Sequence, residues 1–165
     1  MLPFPYPNSI TPQMIDTPPN AFALVNGSET YPGISGIVKF YNTPYHGLII
    51  SAEFFHLPSY TPSNIPSFYG LHIHEKGDCS HNFADTGPHY NPNNQPHPYH
   101  SGDLPPIMSS DGYSWMCVFA QQLTLEEVIG RSVIVHGQAD DFTTQPSGNA
   151  GNKIACGVIR AARQR

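Results

Sequence analysis

Charged side chains are scarce in this 165-residue sequence, at 12% of the residues, and only seven of them are lysine or arginine. The net charge is −5 when the histidines are neutral. Because proteins bind the phosphate backbone through clusters of cations, this composition predicts no nucleic-acid partner. Long apolar runs are also missing. Without about 18 consecutive apolar residues, the sequence predicts no transmembrane helix and no membrane partner.

A secretory leader and an abundance of cysteine are missing too. Residues 1–20 have neither a cationic start nor a continuous apolar stretch, so we expect a cytoplasmic location. The cysteines are Cys79, Cys117 and Cys156, which allow one intramolecular disulfide and leave one thiol free. Cytosolic thiols usually stay reduced, so a disulfide would be in tension with the expected location.

Proline and glycine are abundant instead, with 18 and 14 residues. Six of the prolines fall in residues 1–20, which predicts an extended arm. Such an arm can be loose, can pack on its own domain, or can pack on a partner. Residues 21–165 are predicted to form a single domain.

Short segments rich in β-branched and aromatic residues recur along that domain, separated by turn residues. We predict strands at 21–25, 36–41, 47–55, 68–74, 112–122, 132–136 and 153–159. One helical turn is expected within 123–130, and two long loops at 75–111 and 140–152. Loops of this length in a small domain are usually functional. The pattern predicts an all-β fold, a Greek-key antiparallel sandwich or barrel of about eight strands.

The first candidate site is the pair His72 and His74. Residues two apart on a strand point to the same face, so the two imidazoles project side by side. That arrangement suits a metal ion, although two surface histidines on an edge strand would look the same in sequence.

The second candidate is the histidine-rich part of the 75–111 loop. His89, His97, His100 and Asp103 fall within 15 residues, and three imidazoles with one carboxylate are a good tetrahedral zinc set. A polar loop whose histidines only cap turns is the alternative. His136 follows the apolar strand 132–136 and could join the first pair, or could be a structural histidine.

Five motifs together resemble the copper/zinc superoxide dismutases. They are GLHIHEKGDC (70–79), GPHYNP (87–92), HSGDLP (100–105), VIVHGQADD (133–141) and GNAGNKIACGVI (148–159). They occur in that family's order, over roughly residues 33–160. The cysteine five residues after His74 and the short spacing from His97 to His100 are similar to a bacterial-type member with a shortened zinc loop.

The resemblance implies a role for each matching residue. The implied copper ligands are His72, His74, His89 and His136. The implied zinc ligands are His89, His97, His100 and Asp103, with His89 bridging the two ions. Asp140 matches an outer carboxylate that links a copper ligand to a zinc ligand. Cys79 and Cys156 match the family disulfide, which leaves Cys117 free.

The implied activity is the conversion of superoxide to dioxygen and hydrogen peroxide, by copper redox cycling with zinc as structural partner. His89 and Lys153 are the implied catalytic residues, and Lys153 stands where the family has an anion-guiding arginine. Lys76 is a second candidate for steering the superoxide anion. A homodimer is possible. The alternative is a non-catalytic, metal-binding domain of the same fold. A cupin-type metalloenzyme fits less well, because it leaves two of the five motifs unexplained.

Overall fold

The computed structural model describes residues 15–59, 62, 65 and 67–163, and strands dominate this part of the chain. The strands are β1 (Ala21–Gly27), β2 (Ser35–Asn42), β3 (Leu48–Phe55), β4 (Ser67–His74), β5 (Asp103–Ser109), β6 (Ser114–Ala120), β7 (Ser132–His136) and β8 (Lys153–Ala161). The all-β prediction and the expected number of strands are therefore confirmed.

The strand order shows how the sheet closes. The order is β5–β4–β7–β8–β1–β2–β3–β6, and all neighbouring pairs are antiparallel. The pairs β4/β7, β8/β1 and β3/β6 join strands that are distant in the chain, which is typical of Greek-key connections. The two end strands, β5 and β6, follow each other in the chain through a turn with a bridge between Ser110 and Tyr113. The sheet thereby forms a nearly closed barrel.

Alternation along the strands fills the barrel interior. On β3, the side chains in the main buried cluster are Leu48, Ile50, Ala52 and Phe54. Fully burying one large aliphatic or aromatic side chain contributes roughly 1.5–3 kcal/mol. On β4 the core positions include Leu71 and Ile73. The two histidines of β4 occupy the alternate positions, so they project from the outer face of the barrel.

Two loops cover that outer face. Loop 75–102 joins β4 to β5, and loop 137–152 joins β7 to β8. The first contains the four-residue helix α1 (Ser80–Phe83), whose middle residues have left-handed backbone angles, and a 3-10 turn (Ala84–Thr86). Backbone hydrogen bonds from Ile73 to Gly102 and from Gly70 to Gln138 attach both loops to β4. Polar side chains on the outer face are thereby buried.

The predicted helical turn within 123–130 is present as α2 (Leu125–Val128). Thr124 accepts a hydrogen bond from the backbone N–H of Glu127, and the Glu127 carboxylate accepts one from the backbone N–H of Thr124. This reciprocal capping box satisfies two of the otherwise unpaired donors at the start of a helix, which explains why so short a helix forms here.

The prediction of one loop over 75–111 is wrong in its last part, which is strand β5. Pro105 and Pro106 suggested a loop, because proline cannot donate a hydrogen bond within a sheet. In the described part of the chain β5 pairs only with β4, so it is an edge strand and tolerates proline. Leu104 and Ile107 on β5 are buried.

Of the predicted arm, residues 1–14 lie outside the described residues. Its last residues contact the barrel: the backbone N–H of Asn20 donates to the Phe40 carbonyl, and the Tyr41 hydroxyl donates to the Ile15 carbonyl. The single domain over 21–165 stays a prediction. None of the helices in the described residues has the length and apolar character needed to cross a membrane.

Candidate metal centre

The histidines singled out in the sequence lie together beneath the two loops. Two groups of side chains bring their ligand atoms within 4.8 Å of one another. The four-histidine group is His72, His74, His89 and His136. The His/Asp group is His89, His97, His100 and Asp103, so His89 belongs to both. Strands β4 and β7 supply three of these residues, loop 75–102 three, and β5 begins with the last. Each of the six histidines is at most 9% exposed.

The contact between His74 and His136 has the chemistry of a site for a cation. The Nδ1–H of His74 donates to the Gly87 carbonyl at 2.8 Å, and the Nδ1–H of His136 donates to the Gly151 carbonyl at 3.2 Å. In neutral imidazoles the two Nε2 atoms then carry lone pairs, and these atoms face each other at 3.2 Å. Burial lowers the pKa of His74 to about 2 and that of His136 to about 3, so no proton bridges them at neutral pH.

The other two members of the four-histidine group also keep a nitrogen free. His72 Nε2 lies 2.8 Å from Asp140 Oδ2, and its Nδ1 has no hydrogen-bond partner. His89 Nδ1 lies 2.7 Å from Asp103 Oδ1, and its Nε2 has no partner either. Buried polar atoms are normally satisfied, so two such orphans next to two opposed lone pairs fit a metal ion bound by four imidazoles.

The His/Asp group centres on one carboxylate. Three Nδ1 atoms approach Asp103: that of His89 at 2.7 Å, that of His97 at 2.9 Å and that of His100 at 3.2 Å. His97 Nδ1 lies close to the carboxylate but makes no hydrogen bond with it. Three imidazole nitrogens and one carboxylate oxygen are a set that zinc takes readily, so the residues present fit that ion.

Asp140 joins the two groups. Its Oδ2 accepts from His72 Nε2 at 2.8 Å, and its Oδ1 accepts from His97 Nε2 at 2.9 Å and from the backbone N–H of Phe142 at 2.7 Å. Burial raises the pKa of the Asp140 carboxyl, but these hydrogen bonds outweigh it and hold that pKa below its usual range. The carboxylate therefore fixes the tautomer of both rings and leaves each Nδ1 for a metal.

Gly148 makes this arrangement possible. A Cβ added there would lie 2.1 Å from Asp140 Oδ1 and 2.6 Å from His97 Nε2, and its φ of +67° is in the left-handed region that favours glycine. Its place in loop 137–152 is therefore determined by the carboxylate beside it.

Lys153 lies at the edge of the four-histidine group. Its Nζ is 2.7 Å from Thr86 Oγ1, 3.2 Å from the Phe83 carbonyl and 3.3 Å from the Gly87 carbonyl. The Gly87 carbonyl also accepts the hydrogen bond of His74 Nδ1. The Lys153 ammonium group therefore helps to place the carbonyl that orients His74, in addition to carrying a positive charge. Burial lowers the pKa of Lys153.

The predicted disulfide between Cys79 and Cys156 is confirmed, with the two Cα atoms 5.9 Å apart. It packs with Phe83 and Ile134 in a small apolar cluster separate from the barrel core. Loop 75–102 is therefore attached to β8 twice, by the disulfide and by the hydrogen bonds of Lys153. Cys117 is the free cysteine of the described chain, as expected.

A cleft of about 960 Å³ opens onto the four-histidine group and is lined in part by His74, His89, His136 and Lys153. Among its described lining residues, Lys153 is the sole lysine or arginine and Glu75 the sole carboxylate. Lys76 is not among the described residues that line the cleft.

Sequence reasoning missed the backbone acceptors of the site. The Gly87 carbonyl accepts a hydrogen bond from His74, and the Gly151 carbonyl accepts one from His136. The Thr86 hydroxyl oxygen accepts one from the Lys153 ammonium group. A backbone carbonyl has no residue-type signature, so a sequence pattern contains no signal for the first two. The polar Thr86, fully buried in a loop, is detectable only once its burial is known.

Comparison with known proteins agrees with this geometry. The family model described as copper/zinc superoxide dismutase matches residues 34–159. The extracellular superoxide dismutase [Cu-Zn] of Rattus norvegicus is 33% identical over 137 residues, covering 78% of this chain and 55% of that protein. Superoxide dismutase [Cu-Zn] 3 of Arabidopsis thaliana is 34% identical over 110 residues, covering 57% of this chain and 67% of that protein. The chain thus spans about half the length of the rat relative.

Among solved structures, the crystal structure of the clock protein EA4 is similar, with a TM-score of 0.74 and 33% identity. The match covers 88% of this chain and 97% of that one.

An eight-stranded antiparallel barrel with two histidine-rich groups that share one ring defines a β-barrel protein with two adjoining candidate metal sites. With the family model matching most of the chain, the chain belongs to the copper/zinc superoxide dismutase family.

Proposed function

We propose that this chain is a superoxide dismutase, which converts two superoxide anions and two protons to dioxygen and hydrogen peroxide. The observation that carries the proposal is the pair of opposed lone pairs in the four-histidine group, beside two orphaned ring nitrogens. Copper is the proposed ion there, because imidazole suits copper and the opposed nitrogens need a cation. Bound copper would supply one-electron chemistry by cycling between Cu(II) and Cu(I).

His89 is proposed to hold the proton that the product needs. Its Nε2 has no hydrogen-bond partner, and the ring lines the cleft by which a small anion would enter. This nitrogen is also the proposed copper ligand, so it could hold a proton only when it is not bound to copper; a proton there would be close to the site of peroxide formation, as general acid catalysis requires. Asp103 orients the ring through Nδ1.

Zinc is proposed for the His/Asp group, where it would hold loop 75–102 in place. Zinc has no accessible redox change, so its contribution is structural. Only two residues separate His97 from His100, yet their ring centroids are 5.5 Å apart and both Nδ1 atoms reach Asp103. This closeness supports zinc binding despite the shortened loop, which itself stays a prediction.

The decisive experiment is a metal analysis and a dismutation assay on the same preparation, purified after growth with copper and zinc. Equal amounts of copper and zinc together with rapid dismutation are expected, and the family belongs to a class whose rates approach the diffusion limit. Copper without turnover would instead support the second candidate, a non-catalytic metal-binding domain. The similarity to a protein named for a clock rather than for dismutation keeps that candidate open.

Lys153 is proposed to steer superoxide, because it is the one lysine or arginine among the described residues that line the cleft of a protein with net charge −5. Local cations can raise the on-rate of an anion by about 10-fold or more. Lys153→Met is therefore expected to lower the dismutation rate about 10-fold at low ionic strength and to flatten its decline with added salt. Stopped-flow rates over a salt series, at equal copper content, measure both effects.

Two variants complete the Lys153 test. Lys76→Met removes the same charge outside the cleft and is expected to change the rate by less than about twofold, since exposed charges are screened. Lys153→Arg is expected to be faster than the unchanged protein, because the planar guanidinium offers more donors to an anion. A rate that shows no salt dependence in the unchanged protein would contradict steering.

The cytoplasmic location expected from the sequence gains no support from the comparisons. The relatives from Rattus norvegicus, Mus musculus and Homo sapiens are all named extracellular. The chain also contains the Cys79–Cys156 disulfide, and disulfides are more common in proteins of oxidising compartments. Location and the possible homodimer therefore stay predictions, to be measured by cell fractionation and by sedimentation.

A further inference from the structure

The outer surface of β2, β3 and β6 carries an unusual set of side chains. Strand register places Tyr41 opposite Ile49, and Ile49 opposite Phe119. Further along β6, Cys117 and Trp115 point the same way, because side chains two apart share a face. The alternate positions on β2 and β3 are in the barrel core. We call this surface the outer β2–β3–β6 face. Its apolar members are Tyr41, Ile49, Cys117, Phe119 and Trp115, and the register places the polar residues Lys39, Ser51 and Glu53 among them.

Two side chains of this face are buried although they lie outside the core clusters. Tyr41 is 3% exposed and Ile49 is 1% exposed, and neither belongs to the core clusters. Their neighbours on the same face are open: Phe119 is 43% exposed and Trp115 is 52% exposed. Phe119 and Trp115 lie four residues apart on one face of β6, with Cys117 between them, and an apolar patch of this kind is typical of a surface that receives a partner.

The N-terminal end of the described chain leads onto this face. The backbone N–H of Asn42 donates to the Asn20 side chain, which holds the chain at the end of β2. Five residues earlier, the Ile15 carbonyl accepts the hydroxyl of Tyr41, one of the buried side chains of the face. Asp16 is close enough to help raise the pKa of Tyr41, after burial and Cys117. The described chain therefore begins beside Tyr41.

Residues 1–14 have the composition of a segment that binds such a face. They contain no Asp, Glu, Lys or Arg, and their larger apolar side chains are Met1, Leu2, Phe4, Tyr6, Ile10 and Met14. Prolines at alternate positions favour the polyproline II conformation, and aromatic-lined surfaces are the usual receptors for it. At about 3.1 Å per residue, fourteen residues span roughly 43 Å.

The distance to be covered is short by comparison. Trp115 lies four residues from Phe119 along β6, which is about 13 Å on a strand. We propose that residues 1–14 dock on the outer β2–β3–β6 face of their own chain, running from Ile15 past Ile49 and Phe119 toward Trp115. The face lies on β2, β3 and β6, whereas the two metal-binding groups lie on β4, β5, β7 and loop 75–102, so dismutation is expected not to depend on the segment.

Two natural probes lie on the face. Trp115 is the one tryptophan of the sequence, and Cys117 is its one free cysteine. In metal-loaded protein, deletion of residues 1–14 is expected to raise acrylamide quenching of Trp115 about twofold and thiol labelling of Cys117 several-fold, since removal of a docked segment abolishes its protection. Dismutation and metal content are expected to be unchanged.

Matched variants separate docking from a general effect of the arm. Phe4→Ser with Tyr6→Ser keeps the length and the prolines, and it is expected to expose both probes as deletion does. Asn8→Ser with Gln13→Ser changes two polar residues of the same segment and is expected to leave both probes protected. A synthetic peptide of residues 1–14 is expected to restore protection to the shortened chain.

Every other result overturns the proposal. Equal quenching and labelling in the intact and shortened chains would mean that the segment does not cover the face. Protection that is lost on about a hundredfold dilution, together with a dimer that dissociates when the segment is deleted, would assign the face to a second copy.

Discussion

Replacing His136 with glutamine is expected to lower copper affinity by more than about 100-fold and to abolish dismutation at limiting copper. Residues that only orient a ligand already cost about 10–100-fold in metal affinity when they are changed, and His136 is proposed as a ligand itself. The amide can occupy the same space and can still donate to Gly151, but it offers no imidazole lone pair to face His74 Nε2. Copper content after dialysis against a chelator measures the first effect.

A matched control shows that the loss comes from this position. His46 is an exposed histidine on the turn between β2 and β3, so His46→Gln makes the same chemical change outside both groups. It is expected to leave copper content, zinc content and rate unchanged. Full copper retention and full activity in His136→Gln would remove the four-histidine group from the proposed mechanism.

The histidines on strands were predictable because a strand has a fixed side-chain period. His72 and His74 had to share a face, and the apolar residues between and around them decide that this face is the outer one. The two-residue period of a strand does not reveal which strand pairs with it in the sheet. His136 could be placed with the pair only through the resemblance, since the adjacency of β4 and β7 is a property of topology.

For the loop residues, the sequence indicated the chemistry but not the spatial arrangement. Three histidines and an aspartate within fifteen residues indicated a metal, but their convergence depends on backbone contacts far apart in the chain. Asp140 is the clearest case. In sequence it is one of two adjacent aspartates, and only the family resemblance singled it out. The packing of loop 137–152 is what brings it into contact with His72 and His97. Its neighbour Asp141 is exposed and caps a turn with Thr143 and Thr144.

Strand β5 was missed for a related reason. Its two prolines are strong local signals against a central strand, and sequence alone does not reveal which strand is at the edge of a sheet. The alternation of buried Leu104 and Ile107 was present but short, and tertiary pairing with β4 decided the conformation. The wrong boundary did not affect the site prediction, because Asp103 is the first residue of the strand.

Loss of the disulfide is expected to have the largest effect on stability. Cys79→Ser with Cys156→Ser opens a loop whose ends are 77 residues apart in the chain. The chain-entropy model assigns about 4–5 kcal/mol of unfolding free energy to a bond closing a loop of this size. Chemical denaturation of the metal-free protein measures the change, because bound metal would add its own stabilisation.

The same double variant is also expected to bind copper more weakly, and this follows from what the disulfide holds. Cys79 precedes α1, and the carbonyls of Phe83 and Gly87 that follow it are held by Lys153. Without the bond, one attachment of this stretch to β8 is lost, and Gly87 is less firmly placed to accept from His74. Cys117→Ser is the control, since it removes the free thiol and should leave copper affinity unchanged. If the double variant lost stability but kept full copper affinity, Lys153 alone would be sufficient to place Gly87, and the disulfide would act only on the unfolded chain.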